Sequence, residues 1–259
     1  MSPSCTLLSP ALPSELLSYI LDHHAHPTTL IVCSPRSDFL ASLAEEFGSH
    51  GAASNPDLDE REDEPPAGEE QQAKSGGDRV RPRLLSSPLY QVAVSRHIRT
   101  VYVPTATHLR AYLSVFSPGD SKVAPPPARF AAELTRRPHL VLYGFLDLHR
   151  STSEWSAQGL GSSAAALVEL GHRLAWDVAV IEPRRRDSGG GPLEETLSEP
   201  VPILSSGGRR FGLDSEEGGW SGRRVEVGRV LMRWFRFRRG LWDEDVAENQ
   251  DVAMEDRPA

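Results

Sequence analysis

Thr28-Thr29-Leu30-Ile31-Val32-Cys33 is the stretch that decides the fold. It is apolar or β-branched throughout, the form taken by a strand buried on both faces, as in a parallel sheet. From Ser37 to Phe47, Phe39, Leu40, Leu43 and Phe47 fall on one side of a predicted helix. Upstream, Leu12, Leu16, Leu17, Ile20 and Leu21 repeat at helical spacing, with Pro13 and Ser14 at the start. Downstream, Ile98–Val103 predicts a second strand, Thr107–Phe116 and Ala128–Arg136 helices, and His139–Leu146 a third strand. Ser151 and Glu154 have capping-box spacing. They predict a helix to about Leu174 with Leu160, Ala164, Leu167 and Val168 facing inward. Asp177–Ile181 predicts a fourth strand. Val201–Leu204, Arg223–Val227 and Val230–Phe237 read as consecutive strands between Gly-rich turns. The order βαβαβαβ with a β-rich end predicts an α/β fold: a mainly parallel central sheet flanked by helices, with antiparallel C-terminal strands.

The 259 residues carry a formal charge of −8, unevenly spread. Residues 51–78 hold nine acids and two bases, and 243–259 hold seven acids and one base, leaving 20 acids and 25 bases elsewhere. Residues 51–83 have no apolar periodicity and are rich in Glu, Asp, Pro, Gly and Gln. Such a segment cannot bury enough surface to offset its ordering entropy, so a disordered acidic insertion is expected there. The tail 243–259 reads the same way, which leaves one domain over 1–242. Two cysteines, Cys5 and Cys33, exclude a disulfide scaffold and a Cys-based zinc site. The start Met1-Ser2-Pro3-Ser4 has no basic region, and Pro10 and Pro13 break the apolar stretch behind it, so no secretory signal is expected. Leu140–Leu148 is too short to span a membrane and contains Asp147. A soluble intracellular protein is expected.

The first strand-to-helix turn is where a phosphate loop of the form G-x-x-x-x-G-K-[ST] would sit. There the chain reads Cys33-Ser34-Pro35-Arg36-Ser37-Asp38-Phe39, with neither Gly nor Lys. Pro35 removes an N–H donor, and Asp38 places negative charge where phosphate would lie. Neither of the two lysines, Lys74 and Lys122, follows a glycine. The third strand is followed by Gly144 rather than an acidic Mg²⁺ ligand, with Asp147 three residues on. His23, His24 and His26 lie in a helix-to-strand connection and read as solvated rather than metal-binding. Gly159-Leu160-Gly161-Ser162-Ser163 lies inside a predicted helix and reads as close packing. No G-x-S-x-G elbow or H-E-x-x-H pair occurs.

The positive signal is arginine. Arg184-Arg185-Arg186 follows the fourth strand, and Arg209-Arg210 lies among Gly207, Gly208 and Gly212. Guanidinium binds phosphate bidentately, so these two loops are expected to bind an anion. Arg223, Arg224, Arg229, Arg233, Arg236, Arg238 and Arg239 accompany Trp234, Phe235 and Phe237 near the end. Basic grooves with aromatic platforms hold single strands. For this last strand a charged, solvated edge is the preferred reading.

The order of parts resembles the RecA-like core of strand-exchange recombinases, their paralogues and the Elongator accessory subunits. Thr28–Cys33 with its following helix, His139–Asp147, Ser153–Leu160, Asp177–Glu182 and the closing strands 223–237 carry the resemblance. It implies that Ser34, Pro35, Arg36, Ser37, Asp38 and Gly144 are a degenerate nucleotide site. It further implies that Arg184, Arg185, Arg186, Arg209 and Arg210 face DNA. The subset it points to is the small recombinase paralogues without nucleotide chemistry, such as Shu complex subunits. The function implied is a non-catalytic nuclear subunit, without cofactor, that binds single-stranded DNA and a related RecA-like subunit and assists the recombinase in homologous recombination and DNA repair. An Elongator-type cytoplasmic subunit serving tRNA modification, and a pure protein-interaction scaffold, are the alternatives.

Overall fold

The computed structural model describes residues 2–23, 25–52, 89–120, 123–127, 136–184, 193–204 and 223–243. The chain runs β1 (Cys5–Ala11), α1 (Pro13–His23), β2 (Thr28–Val32), α2 (Arg36–Ala52), α3 (Leu89–Ser95), β3 (Ile98–Tyr102) and α4 (Ala106–Val115). It continues with β4 (His139–Tyr143), α5 (Phe145–His149), α6 (Ala157–Leu174), β5 (Asp177–Pro183), α7 (Leu193–Ser198), β6 (Pro200–Pro202), β7 (Arg224–Glu226), α8 (Val227–Leu231) and β8 (Arg236–Arg238). Six strands form one sheet in the order β3-β2-β4-β5-β1-β8, and every neighbouring pair is parallel. β6 and β7 form a separate antiparallel pair. The expected α/β class holds: a mainly parallel sheet, helices around it, and antiparallel strands near the C-terminus.

Strand alternation builds two cores, one on each face of the sheet. Leu7, Ile31, Leu140, Leu142, Val178 and Val180 point to the face covered by α4, α5, α6 and α8. Leu8, Leu30, Val32, Val141, Tyr143, Ala179 and Ile181 point to the other face, with Leu16 and Ile20 of α1 and Phe39 of α2. Burial on both faces is why β2, β4 and β5 read as unbroken apolar runs.

Four sequence expectations are corrected. β1 was not anticipated, because Pro10 and Pro13 masked it. Pro10 is tolerated because the β1–β5 register shifts between Leu8 and Ala11, where no ladder N–H is required. The third strand ends at Tyr143, not Leu146: Gly144 takes a left-handed φ of 86° and α5 begins. The long helix starts at Ala157, capped by the Ser156 hydroxyl, which accepts from Gly159 N at 3.0 Å. Ser151 instead lies in a left-handed turn (φ 62°), and Glu154 is drawn to Arg110 at 2.5 Å. Finally, 230–237 is mostly not a strand. Val227, Val230 and Leu231 are buried at helical spacing in α8, and the strand is only Arg236–Arg238, parallel to β1. The predicted helix 128–136 falls almost wholly outside the described residues, as do the acidic insertion beyond residue 52 and the tail beyond Asp243.

Candidate functional site

The carboxyl ends of the strands form the edge where parallel α/β sheets hold ligands. The strand that comes first in the chain is β1, so the first strand-to-helix turn is Ala11-Leu12-Pro13-Ser14 rather than the β2 turn. It too has neither Gly nor Lys. Its polar backbone groups are taken up by the protein itself. Leu12 N donates to Glu15 Oε2 at 2.7 Å, and Ser14 N to Glu46 Oε2 at 3.1 Å. The Ser14 hydroxyl also donates to Glu46. Glu46 reaches across from α2 and is buried. Two carboxylates thus stand where an anion's oxygens would lie. Burial raises the Glu15 carboxyl above its ordinary range, against the opposing pull of the Leu12 amide and Arg184.

At the β2 turn, Ser34 is half-buried, and Pro35, Arg36, Ser37 and Asp38 are exposed. Asp38 N and Phe39 N both donate to Pro35 O, and Ser37 Oγ donates to Asp38 Oδ1 at 2.8 Å, so this turn closes on itself. Gly144 caps α5 across from Cys33, and its N–H donates to Ile181 O. Asp147 lies within α5, 3.8 Å from Arg150. The buried acid at this edge is Glu182 on β5: its Oε1 accepts from Leu146 N at 2.9 Å. Burial pushes its carboxyl up to about 8. It anchors the start of α5 rather than facing solvent.

Arg184 is the one residue of the 184–186 and 209–210 sets within the described residues. Its guanidinium donates to Pro10 O and lies 3.1 Å from Glu15 and 3.9 Å from Asp243. Its N–H donates to Ala11 O. It ties β5, β1 and the C-terminal turn together, so a phosphate would have to displace two carboxylates to reach it. Arg185, Arg186, Arg209 and Arg210 lie outside the described residues.

A further group of arginines, near the C-terminal end, is exposed among the described residues. Arg223, Arg224, Arg229, Arg233, Arg236, Arg238 and Arg239 are all exposed, and none makes an ion pair with a described residue. Arg236 and Arg238 pair with Thr6 and Leu8 of β1, so both point to the α1 face. Phe237, level with Leu7, points to the other face and is 37% exposed. Beside them Met232 and Leu241 are exposed. β8 is an edge strand, so its outer backbone groups border this surface as well. The sequence displayed this arginine–aromatic alternation; that none of these arginines pairs with a described carboxylate needed the fold.

A second cluster resembles catalytic machinery without its access. His149 Nδ1–H donates to Phe145 O at 2.7 Å, which fixes the tautomer. Nε2 therefore accepts from the Ser163 hydroxyl at 2.9 Å. Arg110 joins Ser163 (2.9 Å), Gly159 O (2.9 Å) and Glu154. Both His149 and Ser163 have 0% exposure, so this is a satisfied network bracing α4, α5 and α6. His23 Nδ1–H donates to Tyr19 O and His26 Nε2–H donates to Val123 O; His24 lies outside the described residues. Among the described residues no group of three or more His, Cys, Asp or Glu is placed to hold a metal, and no helix is long and apolar enough to cross a membrane. No protein-family model, curated protein or solved structure matches this chain.

Proposed function

We propose that this chain is a non-catalytic RecA-like subunit that binds single-stranded DNA. In this reading it works in the nucleus beside a related RecA-like subunit, assisting a strand-exchange recombinase in homologous recombination and repair. The observation that carries the binding function is the β8 edge: Arg236, Arg238 and Arg239 are exposed and unpaired with any described acid, and Phe237 is exposed on the opposite face of the same edge strand. Phosphates supply most of the affinity in such contacts, and an exposed aromatic ring gives a base a face to stack on. The non-catalytic assignment is supported by Glu15 and Glu46, which engage the backbone amides of the first strand-to-helix turn. It is supported equally by Glu182 of β5, whose buried carboxyl is engaged by the Leu146 amide.

The test is anisotropy of a labelled oligo(dT) strand with the wild-type protein and the variant Arg236→Ala/Arg238→Ala/Arg239→Ala. The proposal expects the variant to lose at least tenfold in affinity while keeping its circular dichroism. Equal affinity would overturn the assignment of the β8 edge. Tighter binding of tRNA than of oligo(dT) would overturn the DNA reading in favour of an Elongator-type role.

A further inference from the structure

We infer that a cavity between α1, α3 and the β2–β3 edge of the sheet binds a small neutral molecule with a flat apolar body and one amide-like edge, read by the Gln91 carboxamide. The cavity measures about 290 Å³. An apolar cavity of about 150 Å³ holds a benzene ring, so this one has room for two fused rings. In the sheet order β3-β2-β4-β5-β1-β8 it lies at the opposite edge from the β8 arginines, and it stands independently of the nucleic-acid reading.

Its walls are apolar. Leu17, Ile20 and Leu21 of α1 form one side, and Leu30 of β2 and Ile98 of β3 lie beneath. The other side is α3, a seven-residue helix that Val94 pins to the protein with 0% exposure. Gln91 and Ser95 stand four residues apart on α3 and both border the cavity. Thr100, level with Leu30 in the β2–β3 register, borders it from the sheet and is exposed, as is Val92, so the cavity opens to solvent there.

Gln91 is the residue that points to a ligand. Its side chain is 8% exposed, yet its carboxamide has no hydrogen-bond partner among the described residues. The Ser95 hydroxyl, by contrast, is taken up by Val92 O. A buried amide without a partner costs the fold free energy, and a leucine of similar size would pack there without that cost. The carboxamide offers one carbonyl acceptor and an NH₂ donor side by side. A ligand with adjacent N–H and C=O groups, as in a lactam, satisfies both at once. No charged side chain lines the cavity among the described residues, so a charged ligand would lose its hydration without gaining a counter-ion. A neutral ring system with an amide edge is the chemistry that fits.

The test titrates the full chain by calorimetry with 2-quinolinone, a neutral bicyclic lactam, and with naphthalene, the same shape without the polar edge. The wild-type protein is expected to bind 2-quinolinone with a Kd on the order of 1 mM or tighter, the range open to a ligand of about a dozen heavy atoms. Gln91→Leu should weaken it about tenfold, the worth of two hydrogen bonds, and leave naphthalene affinity equal or higher. Thr100→Trp, at the exposed mouth, should block both probes while the circular dichroism stays unchanged. Absence of 2-quinolinone binding in the low millimolar range overturns the inference. So does equal affinity of Gln91→Leu, or naphthalene binding as tightly as 2-quinolinone, since the amide would then read nothing. Binding that survives Thr100→Trp places the probe elsewhere and overturns it as well. None of these outcomes bears on the β8 edge.

Discussion

Glu182→Gln isolates the most perturbed carboxyl in the protein. Glu182 is buried, and desolvation raises its carboxyl from 4.5 to about 8, with nearby Asp147 raising it further and the Leu146 amide and Arg150 opposing. The folded protein therefore keeps a proton that the unfolded chain gives up above pH 4.5. Folding takes up that proton, so rising pH destabilises the fold until the buried group ionises near pH 8. The slope is about 1.4 kcal/mol per pH unit, which amounts to roughly 1.5 kcal/mol between pH 6.5 and 8 as the folded group begins to ionise. Below pH 6.5 two histidines act in the opposite direction. Burial lowers His139 to about 4, and lowers His149 as well, so acid favours the unfolded chain there. Glu182→Gln carries the same histidines, so their contribution cancels in the comparison. Gln keeps an Oε1 to accept from Leu146 N but cannot ionise. Urea denaturation followed by tryptophan fluorescence at pH 6.5, 7.2 and 8.0 should show the wild-type protein losing about 1.5 kcal/mol relative to Glu182→Gln across the series. Parallel stability curves would refute the reasoning, because Glu182 would then carry the same charge folded and unfolded.

Other perturbations read the remaining joints of the structure. Glu46→Ala strips the half-buried Ser14 amide and hydroxyl of their acceptor and should cost about 1–3 kcal/mol in the same assay. Gly159→Ala would drive a methyl into the Glu154 carbonyl oxygen and should cost about 1–3 kcal/mol, whereas Gly161→Ala, with nothing within 4 Å, should stabilise the same helix by up to about 1 kcal/mol. Arg184→Ala releases Pro10 O and Glu15 together and should lower the melting temperature measurably, a response a purely solvated loop arginine would not give. Millimolar MgATP should leave the melting temperature of the wild-type protein unchanged; a concentration-dependent rise would mean that the Glu15 and Glu46 carboxylates yield to nucleotide.

The strands buried on both faces were legible because burial leaves a mark in composition: β2, β4 and β5 are apolar from end to end. β1 left no such mark. Its Pro10 looks like a strand breaker until the register shift beside it is known, and that shift is a property of β5 as much as of β1. Missing β1 moved the first strand-to-helix turn from 11–14 to 33–38. Glu46 was within reach, since it lies on the inward side of α2 with Phe39 and Leu43, but its partner Ser14 is 32 residues away and only the fold joins them. Val227, Val230 and Leu231 carried helical spacing that the β-branched valines obscured. The arginine clusters were plain in the sequence. Which of them faces solvent depends on where the carboxylates fall: Glu15 and Asp243 meet Arg184, and no described acid meets Arg236, Arg238 or Arg239.

The salt dependence of single-strand binding tests the central claim most directly. Each phosphate contact contributes roughly −0.7 to the slope of log K against log salt for a single strand. Three arginines at β8 therefore predict a wild-type slope of about −2 or steeper, and Arg236→Ala/Arg238→Ala/Arg239→Ala should flatten it by roughly 2. A wild-type protein whose affinity is insensitive to salt, or a variant whose slope matches it, would contradict the account.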